Sequence, residues 1–170
     1  AITMGDPSGI GPEIILKSVV ETKLNNFLVF GDSLVFDSLI KSLGLPLTIN
    51  KISELSEAIF EEDYINLFET SKLNHLPHYG KISKECGKAS FDAIMKSIEF
   101  AKQGKVSGIV TAPISKKALN LARINYPGHT EILAGYSNNK AVSMMLLNKH
   151  IKTVLVTLHC SMKQALERIT

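Results

Sequence analysis

Residues 1–21 read AITMGDPSGIGPEIILKSVVE, and this stretch predicts a strand, a glycine-rich loop and a helix, in that order. The apolar start at residues 1–4 predicts a buried strand, and the helix is expected from Pro12 to about Glu21. Pro12 suits a first helical position because its missing N–H has no partner to lose inside the helix. A strand that passes directly into a helix is the first half of a βα unit, which indicates an α/β protein.

The same alternation of short apolar runs and amphipathic segments continues along the chain. Further strands are predicted at 27–30, 47–52, 64–68 and 108–111, and helices are predicted after Asp32 and Ser83, at 116–122 and up to Tyr136. In the helix after Ser83, one buried stripe is expected at three- and four-residue steps, formed by Cys86, Ala89, Ala93, Ile94, Ile98 and Ala101. Alternating strands and helices are typical of a mainly parallel sheet covered by helices.

Two apolar runs near the end of the chain, at 142–147 and 151–158, are β-rich. They are separated by the polar residues Asn148, Lys149 and His150. A connection this short joins antiparallel strands, so the two runs are predicted to form a hairpin.

The composition limits the classes of protein to which this chain can belong. The chain has 170 residues, of which 45% are hydrophobic and 21% charged, enough for a substantial core. The net charge is only +3, and no basic stripe with interleaved aromatic residues is present, so nucleic acid is not an expected partner. No apolar run is long enough to span a bilayer and no signal peptide is recognisable, so a membrane is not expected either. Cys86 and Cys160 form neither a metal-ligand pattern nor a disulfide framework, which indicates reduced thiols in a cytoplasmic protein.

The first candidate site is the loop between the first strand and the first helix. Gly5, Gly9 and Gly11 would let the backbone approach a ligand closely, and N–H groups at the helix start could receive an anion. Asp6 lies at the carboxyl end of the first strand, where α/β proteins bind ligands. The spacing matches neither the dinucleotide fingerprint nor the phosphate-binding loop that ends in Gly-Lys-Ser/Thr. A tight turn that simply requires glycine explains the loop equally well.

The second candidate site is TAPISKK at residues 111–117. It also follows a predicted strand, so its polar groups should emerge at the same edge of the sheet as the glycine loop. Lys116 lies near a helix start and could contact a phosphate as a point charge. A proline-containing loop with surface lysines is the alternative interpretation.

The third candidate site is YPGHTE at residues 126–131. Thr130 could cap the following helix, and Glu131 would be favourable in its first turn. Helix capping leaves His129 unexplained. Because histidine and threonine side chains in such a loop can hydrogen-bond substrate oxygens, His129 and Thr130 are predicted to bind substrate.

The remaining histidines give weaker signals. His159 follows the last predicted strand, where a histidine can be a metal ligand, a general base or a structural residue, and its spacing alone favours the structural role. His75, His78 and His150 lie in polar segments and are predicted to be surface residues. The pair His75 and His78 could bind a metal, but no third ligand lies nearby in the sequence.

Four segments together resemble the 4-hydroxythreonine-4-phosphate dehydrogenase family. They are the glycine loop at 5–13, GKIS with Cys86 and Gly87, VTAPISK at 110–116, and YPGHTE at 126–131. Any one of them is weak, but the four occur in the family's order and the likeness runs from the first residue to the last strand. The resemblance implies a three-layer α/β/α fold like that of isocitrate and isopropylmalate dehydrogenases. It also implies a homodimer with a shared active site, in which residues 1–170 are the N-terminal part of a larger two-domain enzyme.

The function implied by this resemblance is a step of pyridoxal 5'-phosphate synthesis. The C3 hydroxyl of 4-phosphohydroxy-L-threonine is oxidised with NAD or NADP, and the resulting β-keto acid loses carbon dioxide to give 3-amino-2-oxopropyl phosphate. Two alternatives remain open at this point. A related dehydrogenase of threonate or erythronate 4-phosphate would keep these motifs, and a non-catalytic module that binds a phosphorylated metabolite is an alternative from another class.

The resemblance also implies roles for individual residues. His129 and Thr130 match the family's substrate-binding pair, and Lys116 matches a contact to the substrate phosphate less closely. His159 matches the first of three histidines that bind a divalent metal such as zinc, magnesium or cobalt, although the residues after it depart from the family's Leu-Pro-type continuation. Because the other two histidines belong to a C-terminal half, this chain alone is expected to be inactive and to bind metal weakly.

Overall fold

A computed structural model describes residues 1–137, 142–157 and 160–169. The chain divides into two compact units, Ala1–His129 and Thr130–Thr170. The strands of the first unit are β1 (Ile2–Thr3), β2 (Val29–Gly31), β3 (Thr48–Ile52), β4 (Tyr64–Glu69) and β5 (Val110–Thr111). Its helices are α1 (Gly11–Thr22), α2 (Ser33–Leu43), α3 (Lys84–Lys102) and α4 (Lys116–Leu121), with a 3₁₀ turn at Leu55–Glu57.

The five strands of the first unit form one parallel sheet in the order β3-β4-β2-β1-β5. Side chains of α1 and α2 pack with Val29 in one core cluster, whereas Phe30 packs with Ala93 and Phe100 of α3 in another. Consecutive strand residues belong to different clusters because their side chains point to opposite faces of the sheet. Helices therefore cover both faces, and the predicted α/β/α architecture with a mostly parallel sheet is confirmed.

Local signals account for where the helices begin. The Asp32 carboxylate accepts a hydrogen bond from the Leu34 backbone N–H at 3.0 Å, and the Ser83 hydroxyl accepts one from Cys86 at 3.1 Å. Each side chain thus satisfies a backbone donor that the helix itself leaves free. The predicted stripe of α3 is buried at Cys86, Ala89, Ala93, Ile94 and Ile98, whereas Ala101 is half-buried.

The described elements of the second unit are α5 (His129–Tyr136, which starts at the last residue of the first unit), β6 (Met145–Leu147), β7 (Lys152–Val154) and α6 (Met162–Arg168). Strands β6 and β7 pair antiparallel, which confirms the predicted hairpin. The Asn148 side chain accepts hydrogen bonds from the backbone N–H groups of His150 and Ile151 and so closes the turn. No helix among the described residues is long and apolar enough to cross a membrane.

The helix after Gly128 begins earlier than predicted. Helix α5 starts at His129, so Thr130 lies inside its first turn and the predicted capping role of Thr130 is wrong. The position before the helix belongs to Gly128, a residue type that is tolerated there. Glu131 does lie in the first turn, where its charge is favourable.

Candidate functional site

The candidate site lies where β1 and β5 end. The two strands are parallel neighbours, with Thr3 opposite Thr111, so the glycine loop and the segment that starts at Ala112 emerge at the same edge of the sheet, as predicted. Strand β2, which follows β1 in the chain, lies on one side of β1, and β5 lies on its other side. Such a point, where connections run in opposite directions, opens a crevice at the carboxyl ends of the strands.

The glycine loop is packed against the backbone that follows β5. The Asp6 N–H donates to the Pro113 carbonyl at 2.9 Å. Gly5 has φ +74°, and a Cβ there would overlap the Pro113 carbonyl oxygen and lie 2.9 Å from the Ala112 carbonyl carbon. The close approach made possible by Gly5 is therefore to the chain's own backbone, and a ligand role for Gly9 and Gly11 stays a prediction.

Asp6 closes a turn within the glycine loop. Its carboxylate is buried, and Oδ1 accepts hydrogen bonds from the Ser8 backbone N–H at 2.9 Å and the Ser8 hydroxyl at 2.8 Å. This oxygen is occupied within the loop. A direct contact between Asp6 and a ligand stays a prediction.

The GKIS segment, which contains Gly80, also contacts the glycine loop. The Gly80 N–H donates to the Ser8 carbonyl at 2.8 Å. Burial raises the pKa of the Cys86 thiol, and the nearby Asp6 charge adds to that shift, while hydrogen bonds with Ser83 and Ser8 oppose it. A thiol with a raised pKa is a poor nucleophile, so Cys86 is a packing residue in this structure.

His129 and Thr3 are the two residues in the described part of the chain that have a buried side-chain polar atom without a hydrogen-bond partner. In His129 this atom is the ring nitrogen Nε2. Burial lowers the pKa of His129, and a hydrogen bond with the Ala112 backbone opposes that shift. Burial therefore favours the neutral form of His129, and Nε2 has no partner within the described residues that would prevent it from binding a ligand.

The other predicted site residues are Lys116, Thr130 and His159. Lys116 is the first residue of α4, after the Ser115 N-cap, and its side chain is exposed, with no ion pair to a described carboxylate. Thr130 is half-buried in the first turn of α5. His159 lies outside the described residues.

A cleft of about 370 Å³ between the loop after β4 and the start of α3 was not predicted. Lys72, Lys81, His75 and His78 all line it, beside Cys86. The sequence signal that marks the cleft is the density of basic side chains from 72 to 88. His75 and His78 are exposed, as predicted. No group of three His, Cys, Asp or Glu side chains suited to a metal occurs in the described ranges.

Known proteins are similar to this chain in sequence and in fold. Residues 23–170 match the family described as pyridoxal phosphate biosynthetic protein PdxA. The chain is 48% identical to a 4-hydroxythreonine-4-phosphate dehydrogenase of Beijerinckia indica subsp. indica, over 99% of this chain and 50% of that protein. It is 35% identical to a candidate D-threonate 4-phosphate dehydrogenase of Fusobacterium nucleatum subsp. nucleatum, over 100% of this chain and 52% of that protein.

A solved structure extends this likeness to the fold. The crystal structure of a 4-hydroxythreonine-4-phosphate dehydrogenase from Klebsiella pneumoniae superposes with a TM-score of 0.88 at 33% identity, over 98% of this chain and 51% of that chain. The chain thus spans about half the length of the curated relatives it matches.

Proposed function

Because the chain belongs to the family of the pyridoxal phosphate biosynthetic protein PdxA, we propose that it forms the N-terminal half of a 4-hydroxythreonine-4-phosphate dehydrogenase. The protein that joins this half to the C-terminal half of such an enzyme is called the full-length protein below. The observation that carries the proposal is the buried Nε2 of His129, which has no hydrogen-bond partner within the described residues. The segments that follow β1 and β5 emerge at the same carboxyl edge of the sheet.

The proposed reaction has two stages. The C3 hydroxyl of 4-phosphohydroxy-L-threonine would lose its proton while carbon C3 transfers its hydrogen as a hydride to NAD or NADP. The resulting β-keto acid would then release carbon dioxide and take up a proton. The nicotinamide supplies the hydride acceptor, so the task of the protein is to bind and orient the substrate. His129 would hold a polar group of the substrate through Nε2. Lys116, which is exposed and has no ion pair to a described carboxylate, would meet the phosphate.

A divalent metal and a second subunit are further parts of the proposal. His159, the proposed metal ligand, lies outside the described residues, and no metal-binding group of three occurs within them. A metal would therefore need ligands beyond those described, in line with the proposed contribution of a C-terminal half and a shared active site in a homodimer.

The substrate itself is the first point to test. Full-length protein should reduce NAD or NADP faster with 4-phosphohydroxy-L-threonine than with D-threonate 4-phosphate, because identity to the relative named for the first substrate is 48% and to that named for the second is 35%. Formation of reduced nicotinamide, followed by absorbance at equal substrate concentrations, measures this. A higher kcat/KM with the sugar-acid phosphate would replace the first substrate by the second. Binding of either compound without turnover would point to a non-catalytic binding module.

His159→Ala should remove the metal from full-length protein. The imidazole would bond directly to the metal. Mutation of residues that only hydrogen-bond to metal ligands already lowers metal affinity about tenfold or more, so we expect the amount of bound metal to fall by at least about tenfold. Metal content after dialysis, measured by emission spectroscopy, checks this. His150→Ala is the matched control, since His150 is exposed in the hairpin turn. Unchanged metal content in His159→Ala would refute the ligand assignment.

A further inference from the structure

The two edges of the parallel sheet carry different side chains. Strand β3 forms one edge and β5 forms the other. On β3 the exposed side chains are those of Thr48 and Lys51, and a lysine on an edge strand discourages pairing with a further strand. On β5, Val110 is apolar and 64% exposed. The β5 edge therefore lacks the side-chain protection that the β3 edge has.

The backbone of β5 has hydrogen-bonding groups that face away from the sheet. The Val110 N–H donates to the Ala1 carbonyl at 2.8 Å, and the Ala112 N–H donates to the Thr3 carbonyl at 3.2 Å. Because successive backbone groups of a strand point to opposite sides, the N–H and C=O of Thr111 point away from β1. Strand β1 is the only strand that pairs with β5 in the described part of the chain, so these two groups of Thr111 lie at an open edge.

An uncharged groove of about 290 Å³ follows this edge and is lined by residues of α1 and by residues 110–113. No charged side chain is among its lining residues, and Ile14 and Leu24 in its wall are 41% and 42% exposed. Val110 points to the same face of the sheet as its β1 partner Ile2, which packs against the core cluster of α1 and α2. An apolar groove beside an unpaired strand suits an extended segment that supplies both backbone hydrogen bonds and an apolar side chain.

We propose that a strand from the C-terminal half of the full-length protein pairs with β5, and that one of its apolar side chains fills the groove beside Val110. The lengths of the relatives support this occupant. The chain is matched over 98–100% of its length but covers only 50–52% of each relative, so about as many residues again lie outside the matched part of those proteins. The inference rests on the proposed function only for the existence of the C-terminal half.

The added strand brings the C-terminal half to the candidate site. Strand β5 leads directly into the segment that starts at Ala112, at the carboxyl edge of the sheet. Whichever direction the added strand runs, one of its ends lies beside this segment. The β5 edge is thus the surface that positions residues of the C-terminal half next to the candidate site.

Hydrogen exchange of single amides in full-length protein, measured by mass spectrometry, tests the pairing. We expect the Thr111 amide to exchange at least about a hundredfold more slowly than the Lys51 amide, because a paired amide exchanges only when its strand opens. Lys51 is the matched control. The Thr48 N–H donates to the Asp63 carbonyl, so the Lys51 N–H, three residues further along β3, points to the open side of that strand. Equal exchange of the two amides, corrected for their sequence context, would overturn the proposal.

Val110→Asp in full-length protein tests the filled groove. The carboxylate would be buried without a partner, so the midpoint of urea unfolding should fall. Thr48→Asp is the matched control, because it places the same side chain on the exposed β3 edge and should shift the midpoint much less. Equal shifts in the two variants would overturn the filling of the groove. The exchange measurement needs no variant, so it decides the pairing where Val110→Asp does not fold.

The mass of the assembly separates the C-terminal half from a second copy of the chain as the source of the strand. Light scattering should give the same mass for the parent protein and Val110→Asp. A variant with half the mass of its parent would assign the added strand to a second copy and overturn the proposal. A slowly exchanging Thr111 amide in a protein that reduces no nicotinamide with either phosphorylated substrate would refute the proposed function and leave the strand pairing intact.

Discussion

His129→Ala in full-length protein should raise the KM for 4-phosphohydroxy-L-threonine about 10- to 100-fold, with a smaller effect on kcat. The variant removes a ring nitrogen that can form a hydrogen bond at a buried position, and a substrate group left without its partner costs about 1–3 kcal/mol. A contact that is equally strong in the ground state and the transition state changes KM and not kcat. Initial rates of nicotinamide reduction over a range of substrate concentrations measure both constants.

Two further histidine variants serve as controls for this result. His150→Ala removes an exposed imidazole and should leave KM unchanged. His129→Gln keeps a side-chain acceptor and should recover part of the loss. A His129→Ala enzyme with the KM of the parent protein would exclude His129 as a substrate contact. A loss confined to kcat would assign His129 to the chemical step.

Gly87→Ala should destabilise the first unit by up to about 2 kcal/mol, which is the cost of overpacking less the gain in helix propensity. On helix propensity alone, alanine at this position of α3 would stabilise by about 1 kcal/mol. However, a Cβ at Gly87 would overlap the backbone carbonyl of Ala118 and lie 2.9 Å from the Leu119 nitrogen. The overlap forces α3 and α4 apart, and overpacking of this kind typically costs about 1–3 kcal/mol. The midpoint of urea unfolding reports the change.

Whether Gly87→Ala lowers or raises the free energy of unfolding shows whether backbone packing or helix propensity dominates at this position. Gly108→Ala is the matched control, because Gly108 has no neighbouring atom within 4 Å, and its free energy of unfolding should change little. A Gly87→Ala protein that is more stable than its parent would mean that α3 and α4 are not in backbone contact.

Features encoded by neighbouring residues could be predicted from the sequence. Asp32 and Ser83 begin their helices as expected, because a capping side chain and the N–H it accepts are only two or three residues apart. The hairpin around Asn148 is also local. The two-residue error at Thr130 shows the limit of such reasoning, since Gly128 and Thr130 are both acceptable at an N-cap.

Features that join distant residues could not be predicted. The glycine loop has the same residues whether it binds a ligand or packs against its own chain, and only the pairing of β1 with β5 shows that Gly5 meets Ala112 and Pro113. The approach of His129 to the Ala112 backbone, which opposes the lowering of its pKa by burial, likewise depends on where that backbone lies in the fold. His129 was recognisable as a candidate because capping could not explain it, but its free nitrogen was visible only in the structure.

The most direct test of the site is the distance between His129 Nε2 and the nearest polar atom of bound 4-phosphohydroxy-L-threonine, in a crystal structure of full-length protein with this substrate. We predict a polar atom of the substrate about 2.7–3.2 Å from Nε2, the range of a hydrogen bond. A substrate bound elsewhere, with none of its polar atoms within hydrogen-bond distance of Nε2, would contradict the role given to this residue.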